Sequence, residues 1–341
     1  MSSPLHRSDE VVLVTGATGF LGSHLVKRLV SDGARVRILV RSANRARSLA
    51  ELGAEVTVGD IQDETAVHSA LRGALTVYHL AGKLLVPGAR DAEYRATHVD
   101  ATKLLLAHSR GQSQLRRFVH CSTTGVLGVT GAEPADEGAP LRPTNIYEAT
   151  KAEAELTIRD AMRSGFPAVI VRPGLVYGPG DLHLLGFFRS VFRGRFRPIG
   201  RRPVWLHPIY VDDMVDAVVR CGRHPAAVGE CFHIAGPEPV SLAALAAAIA
   251  NAEGTDVPSG TIPLPAARAV AIAGDLLPGN VRRAAPLTRS RLDFLTHSRV
   301  YSVAKAKRVI DFTPATDLST GMARTVSWYR DHGYLPARSA A

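Results

Sequence analysis

Tyr147 and Lys151 are separated by four residues in the run Tyr147-Glu148-Ala149-Thr150-Lys151. On a helix that spacing sets a phenol and an ammonium on one face. A phenol titrates at about pH 10 and is a poor acid or base at neutrality, but a neighbouring cation favours the phenolate and lowers that value. The pair is therefore suited to moving a proton to or from a substrate oxygen. A second group of residues carries phosphate chemistry. Val11-Val12-Leu13-Val14-Thr15 reads as a buried strand and runs into Gly16-Ala17-Thr18-Gly19-Phe20-Leu21-Gly22, three glycines spaced by three, and then into the amphipathic repeat Leu21, Leu25, Leu29. Gly16 permits a tight turn, Gly19 lets backbone N–H groups approach phosphate oxygens, and Gly22 lets the helix pack closely. The helix N-terminus adds the positive end of its dipole, so the segment predicts a cradle for a dinucleotide pyrophosphate.

The elements that must position these groups alternate along the chain. Arg35–Val40, Glu55–Val58, Thr76–Leu80, Arg117–Ser122 and Ala168–Arg172 are short, apolar and β-branched, whereas Ala43–Leu52, Asp63–Leu71, Ala92–Ser109 and Ile146–Ser164 show the longer helical period. Repeated strand–helix–strand units predict an α/β fold, a doubly wound parallel Rossmann sheet with right-handed crossovers. Regularity weakens after Pro173, with turns at Gly178-Pro179-Gly180 and Gly236-Pro237. The expected division is a dinucleotide-binding domain over 9–177, to which 204–235 returns, and a smaller, mostly C-terminal substrate lobe from 178–203 and 236–333. A strand is expected to begin at Val211.

Composition restricts the class. With 341 residues and 46% hydrophobic content, the chain can bury a large core. Cys121, Cys221 and Cys231 have neither paired nor metal-ligand spacing, so they read as buried thiols in a reducing compartment, and no metal is expected. Met1 to Glu10 lacks an apolar run, and Ile262–Leu277 is broken by Arg268, Asp275 and prolines. A cytoplasmic protein without signal peptide or transmembrane segment is expected. The net charge of +10 is concentrated in Arg189, Arg193, Arg195, Arg197, Arg201 and Arg202, interleaved with Phe192 and Phe196, and in Arg282, Arg283, Arg289, Arg291 and Arg299. These groups are readable as a solvated face or as a contact for an anionic substrate or membrane surface. Nucleic acid is not expected as a partner, because no recognition-helix or RNA-binding signature accompanies them.

Arg41 ends the second strand, where an acidic side chain would hold the adenosine 2′-hydroxyl of NAD. An arginine can pair with a 2′-phosphate instead, which favours NADP and leaves NAD possible; a solvated strand-end residue is the alternative. Gly59-Asp60-Ile61 ends the third strand, and Asp60 is placed either to accept from the adenine amino group or to form a turn.

Taken together, Thr15–Gly22, Gly59-Asp60, His79-Leu80-Ala81-Gly82, Phe118–Gly128, Tyr147–Lys151, Arg172-Pro173-Gly174, Val211-Asp212-Asp213 and Phe232–Pro237 resemble the extended short-chain dehydrogenases/reductases over nearly the whole chain. That superfamily includes nucleotide-sugar epimerases and dehydratases. The C-terminal portion, with Pro286-Leu287-Thr288, Lys305-Ala306 and Trp328-Tyr329, is more similar to its 3β-hydroxysteroid dehydrogenase and dihydroflavonol reductase branch. The resemblance implies that Thr123 is the catalytic hydroxyl, with Ser122 and Thr124 as weaker candidates, beside Tyr147 as general acid or base and Lys151 lowering its pKa. It implies cofactor contacts from Gly16, Thr18, Gly19, Phe20, Leu21, Gly22, Arg41, Asp60, Ile61, Leu80, Ala81, Gly82, Tyr147, Lys151, Pro173 and Val176. It also implies a homodimer through Ala92–Ser109 and Ile146–Ser164.

Three departures qualify the resemblance. His98 replaces an asparagine and reads as structural. Nucleotide-sugar enzymes carry an asparagine and an arginine against the diphosphate where this chain has Leu175 and Leu206. Trp205 and His207 are placed to line the pocket or to pack in the core. A buried diphosphate without those donors is unfavourable. The expected activity is therefore an NADP(H)-dependent oxidoreductase interconverting a ketone and a secondary alcohol on a fairly apolar small molecule. The alternatives are a nucleotide-sugar epimerase or dehydratase retaining its NAD(P), and a non-catalytic dinucleotide-sensing protein.

Overall fold

The computed structural model describes residues 10–86, 88–278, 281, 285 and 287–337. Expectations that fell on residues 1–9, Arg282, Arg283 and Pro286 lie outside them. Seven strands, β1 (Val11–Thr15), β2 (Arg35–Val40), β3 (Glu55–Val58), β4 (Ala74–His79), β5 (Arg117–Cys121), β7 (Ala168–Pro173) and β11 (Cys231–Ile234), form one sheet. Their spatial order is β11-β7-β5-β4-β1-β2-β3 and every pairing is parallel. The remaining described strands pair by twos: β6 (Gly131–Ala135) with β13 (Arg299–Tyr301), β8 (Leu175–Tyr177) with β10 (Pro208–Tyr210), and β9 (Trp205–Leu206) with β12 (Val240–Ser241).

Strand order reverses between β1 and β4, and such a switch point opens a crevice at the carboxyl ends of the strands. Both faces of the sheet are covered, which is why β1 is buried throughout and apolar from Val11 to Val14. Val12 and Val14 join the core under the helices Phe20–Ser31 and Val211–Arg223, while Leu13 joins the core on the opposite side with Val67, Leu105 and Ile158. A third core builds the smaller lobe from Leu185, Phe188, Phe196, Leu206, Leu245, Ile249, Met322 and Tyr329. Ala306, Ile310 and Phe312 pack into the first core rather than this one.

Two elements differ from the sequence expectation. Val211 begins a helix, Val211–Arg223, and the strand is the preceding Pro208–Tyr210. Val211, Met214, Val215, Val218 and Val219 are buried at helical spacing, so period outweighs the β preference of valine. Within Ala92–Ser109, the residues Ala96–Asp100 form a π-helical turn between the α-helical segments Asp91–Arg95 and Ala101–Arg110. A π turn inserts an extra residue and re-aims the side chains that follow; His98 lies on it.

The helix Ile146–Arg163 is tied to the sheet by charge. Glu155 accepts from Arg172 of β7 through both oxygens, at 3.0 Å from Nε and 2.6 Å from Nη2, and both side chains are fully buried. Ser122, just past β5, donates to the same carboxylate at 2.7 Å, and Arg159 adds a bond at 2.9 Å. Burial alone would raise the Glu155 pKa, but the bonds from Arg172, Ser122 and Arg159 hold it below its ordinary value. Glu155→Ala leaves Arg172 charged and buried, and should cost about 3–5 kcal/mol in chemical denaturation. Because the folded-state pKa is depressed, the pair's contribution is present above the ordinary carboxylate range and lost as pH falls through the folded value. The difference between wild type and Glu155→Ala should therefore shrink in acid.

Candidate active site

The turn after β1 has the geometry a dinucleotide requires. Gly16 adopts a φ of 72°, and a Cβ there would lie 2.6 Å from the carbonyl carbon of Leu80. A Cβ on Gly22 would lie 2.1 Å from the Gly16 carbonyl oxygen, so the helix Phe20–Ser31 packs against the turn itself. Gly19 N donates to Gly16 O at 3.0 Å and forms the N-cap, with no side chain capping the helix. The N–H groups of Phe20, Leu21 and Gly22 are thus presented at a positive helix end, with partly buried Thr18 in the turn before them. Leu80 N donates to Thr15 O at 3.2 Å and Ala81 N to Thr15 Oγ1 at 3.3 Å, which straps Leu80-Ala81-Gly82 across the end of β1.

Thr15 pairs with Leu39, so Arg41 lies at the same edge of the sheet as the glycine turn. It is exposed and makes no ion pair among the described residues. Asp60 Oδ1 accepts from Gln62 N at 2.9 Å, so this carboxylate forms a turn, and Ile61 beside it packs on the core. Pro173 accepts from Thr124 Oγ1 at 2.9 Å, and Val176 packs between the two larger cores. The glycine turn and the uncapped helix end behind it fit the diphosphate of a nicotinamide dinucleotide at the switch point.

Local capping places the phenol. Asn145 Oδ1 accepts from Glu148 N at 3.0 Å, and the Glu148 carboxylate accepts from Thr144 N at 2.7 Å, fixing the first turn of Ile146–Arg163. Thr123 lies near the Tyr147 phenol and favours the phenolate, yet desolvation outweighs it and pushes the Tyr147 pKa well above the ordinary phenol value. Thr123 Oγ1 accepts from Gly125 N at 3.1 Å. The Lys151 ammonium donates to the Cys121 carbonyl at 2.7 Å, and burial lowers its pKa. In this arrangement desolvation has the largest influence on the phenol, and the Lys151 ammonium bonds a carbonyl.

Lys151 lies beside Gly82, where a Cβ would be 3.5 Å from its Nζ and 3.5 Å from His98 Nε2. His98 is buried; its Nε2 accepts from Lys83 N at 2.9 Å, its Nδ1 bonds Thr150 Oγ1 at 2.8 Å, and its ring meets Tyr147 edge-on at 5.5 Å. It therefore links the Leu80–Gly82 strap to the helix that carries Tyr147 and Lys151. Burial and the Lys151 charge hold the His98 pKa down to about 3, and the buried His79 and His120 are likewise held below the ordinary histidine value.

Other candidates face elsewhere. Ser122 is bonded to Glu155, and Thr124 to Pro173 O. His207 is buried, with Nε2 bonded to Gly236 O at 2.9 Å and Nδ1 accepting from Tyr301 N at 3.4 Å, so it supports backbone. Trp205 is partly buried in β9. Leu206 lies in the smaller lobe's core and Leu175 packs against it. Phe196 belongs to that core and Phe192 packs on it, so these rings are not offered to bases between the arginines. Cys221 and Cys231 are buried, while Cys121 is partly exposed. No cluster of metal-ligating side chains occurs among the described residues.

A cleft of about 470 Å³ opens at the start of the Tyr147 helix, lined by Thr144, Asn145, Leu264, Arg268, Arg289 and Leu292. Tyr147 itself is not part of its lining; the cleft begins two residues away, at the N-cap.

A doubly wound sheet with a glycine cradle and a Tyr–Lys helix beside it defines a dinucleotide-dependent enzyme. Comparison with known proteins agrees. Residues 12–235 match the NAD dependent epimerase/dehydratase family. A 4-hydroxy-2-methyl-3-oxo-4-farnesyl-3,4-dihydroquinoline-1-oxide ketoreductase of Stigmatella aurantiaca is 32% identical, over 77% of this chain and 79% of its own. A 3 beta-hydroxysteroid dehydrogenase/Delta 5-->4-isomerase of Mycobacterium tuberculosis (strain CDC 1551 / Oshkosh) is 29% identical, over 93% and 90%. The crystal structure of UDP-glucuronic acid 4-epimerase from Bacillus cereus in complex with NAD shares the fold, with a TM-score of 0.75 and 20% identity over 94% of this chain and 99% of that one. The chain belongs to the NAD-dependent epimerase/dehydratase family, the extended short-chain dehydrogenases/reductases, and is an NAD(P)-dependent enzyme.

Proposed function

We propose that the chain is an NADP(H)-dependent reductase that interconverts a ketone and a secondary alcohol on a fairly apolar small molecule. The observation that carries this reading is the placement of Thr123 near Tyr147, with Lys151 beside Gly82, at the mouth of the glycine cradle. A bound nicotinamide supplies or accepts hydride at the carbon of the substrate.

In the reductive direction Tyr147 gives its phenolic proton to the substrate oxygen as the carbonyl becomes an alcohol. A phenol held above its ordinary pKa keeps that proton at neutral pH, so the partly buried Tyr147 is poised as the acid. Thr123 orients the oxygen, and after proton transfer its hydroxyl and the nearby Lys151 charge stabilise the phenolate. His98 holds the strap and the helix in register through Lys83 N and Thr150.

Apolar packing of Leu175 and Leu206 supports an apolar substrate, since neither offers a donor to a diphosphate. Two of the named relatives support it: one name describes a farnesyl-bearing ketone and the other a 3β-hydroxysteroid. Arg41, exposed and unopposed by a carboxylate, supports NADP. We also take the protein to be a cytoplasmic homodimer through the helical faces of 92–109 and 146–164, where Leu156 is exposed. No described helix is long and apolar enough to cross a membrane.

Tyr147→Phe should lower ketone reduction by about 10²–10⁴-fold in kcat while NADPH affinity, followed by its fluorescence, stays close to wild type. Normal turnover would refute the assigned acid. Arg41→Asp should weaken NADPH binding by roughly 10- to 100-fold, the range of a charged hydrogen bond, and leave NADH binding equal or tighter. Preference of the wild-type protein for NADH would overturn the role given to Arg41.

A further inference from the structure

The helix Leu264–Asp275 is oriented opposite to an ordinary surface helix. It turns Ala267, Ala271 and Gly274 toward the protein, and a Cβ on Gly274 would lie 2.1 Å from the Leu287 carbonyl oxygen. Its larger apolar side chains face outward: Val270 is 48% exposed, Ile272 49%, and Leu276 just beyond it 80%. Leu277 and Val281 extend the exposed apolar surface past the helix end. A globular helix buries its apolar stripe, whereas Ile272 and Leu276, four residues apart, share an outward face, and exposed apolar side chains of this kind mark a surface that meets something.

Cations lie on the same helix and on the segments next to it. Arg268 lies exposed on the helix itself, and Arg289 and Arg291 are exposed on the following helix, Arg289–Thr296. At the other end, Gly200 N donates to Ile262 O at 2.9 Å and Ile262 N to Pro198 O at 2.8 Å. Those bonds bring the exposed Arg201 and Arg202 beside Ile262, at the head of the helix. The carboxylates of the two helices are already answered: Asp275 by Arg289 at 3.2 Å, and Asp293 by Arg299 at 2.5 Å. Two copies of the chain meeting through this face would set arginines against arginines, which disfavours self-association. A segment of twelve helical residues carrying Arg268 and Asp275 is too short and too charged to span a bilayer, but an apolar face with a cationic rim suits the boundary between headgroups and acyl chains.

We infer that this face docks peripherally on an anionic lipid surface. Leu264 and Arg268 of the same helix also line the cleft at the start of the Tyr147 helix, so the cleft mouth opens beside the docked face. This route of entry rests on the apolar substrate proposed above: a ketone dissolved in lipid would reach the site without crossing water.

The test is flotation of the full-length protein with vesicles of phosphatidylcholine alone, or of phosphatidylcholine with about one third phosphatidylglycerol, at low and high salt. Wild type should float with the anionic vesicles, fail to float with neutral ones, and be released by salt. The double variant Ile272→Glu/Leu276→Glu should bind the anionic vesicles more than about tenfold more weakly. It should also keep wild-type turnover of a water-soluble ketone, which shows that it is folded. Arg201→Glu/Arg202→Glu should weaken binding at low salt. Wild type remaining unbound, or either variant floating like wild type, overturns the inference. Flotation contains no substrate, so absence of ketone turnover by the wild type would sink the proposed reaction and leave the lipid surface to be judged on flotation alone.

Discussion

The site depends on one buried ion pair. Glu155 and Arg172 are fully buried, and their bidentate contact joins the helix Ile146–Arg163 to β7, with Ser122 adding the end of β5. Burying two charges is costly unless the geometry satisfies them, and here Ser122, Arg159 and His233 take up remaining positions around the pair. Tyr147, Lys151 and Glu155 recur at intervals of four on that helix, hence on one face. The pair therefore fixes the rotation of the face that carries the phenol and the ammonium, and it does so against the strand ends where the cradle opens.

Around that anchor the polar interior is arranged to keep charge scarce. His79, His98 and His120 are buried and held neutral, in each case with the Lys151 charge contributing. Desolvation also raises Tyr147, so the phenol stays protonated, with Thr123 near it. The π turn at Ala96–Asp100 sets His98 in the contact between the Leu80–Gly82 strap and Thr150. Cofactor loop and catalytic helix are consequently joined by a neutral ring and not by an ion pair.

Most of the fold is visible in local sequence because each feature has a local cause. The strand β1 is buried at every position and apolar from Val11 to Val14, Gly16 needs a positive φ and Gly22 sits against a carbonyl, and those requirements mark the cradle. The spacing of Tyr147 and Lys151 survives folding for the same reason. Long-range partners are what the sequence conceals. Glu155 and Arg172 are seventeen residues apart and look like ordinary surface charges; only the β5–β7 pairing brings Ser122 and Arg172 to the same carboxylate. The spacing of Tyr147 and Lys151 reports proximity on a helix, not the desolvation that has the largest influence on the phenol. Phe192 and Phe196 alternate with arginines in sequence but turn inward, a distinction that requires the smaller lobe's core. Asn145 followed three residues later by Glu148 is a capping signal that was available in the sequence and fixes where Tyr147 begins.

The central claim is that this arrangement reduces a ketone with hydride from a bound, exchangeable nicotinamide. It is tested most directly by supplying NADPH labelled with deuterium at the transferable position together with an apolar ketone, and analysing the products by mass spectrometry. The account predicts deuterium on the carbinol carbon of the alcohol and release of oxidised cofactor in equal amount. An unlabelled product, with the cofactor retained by the protein and no net change in its redox state, would contradict it.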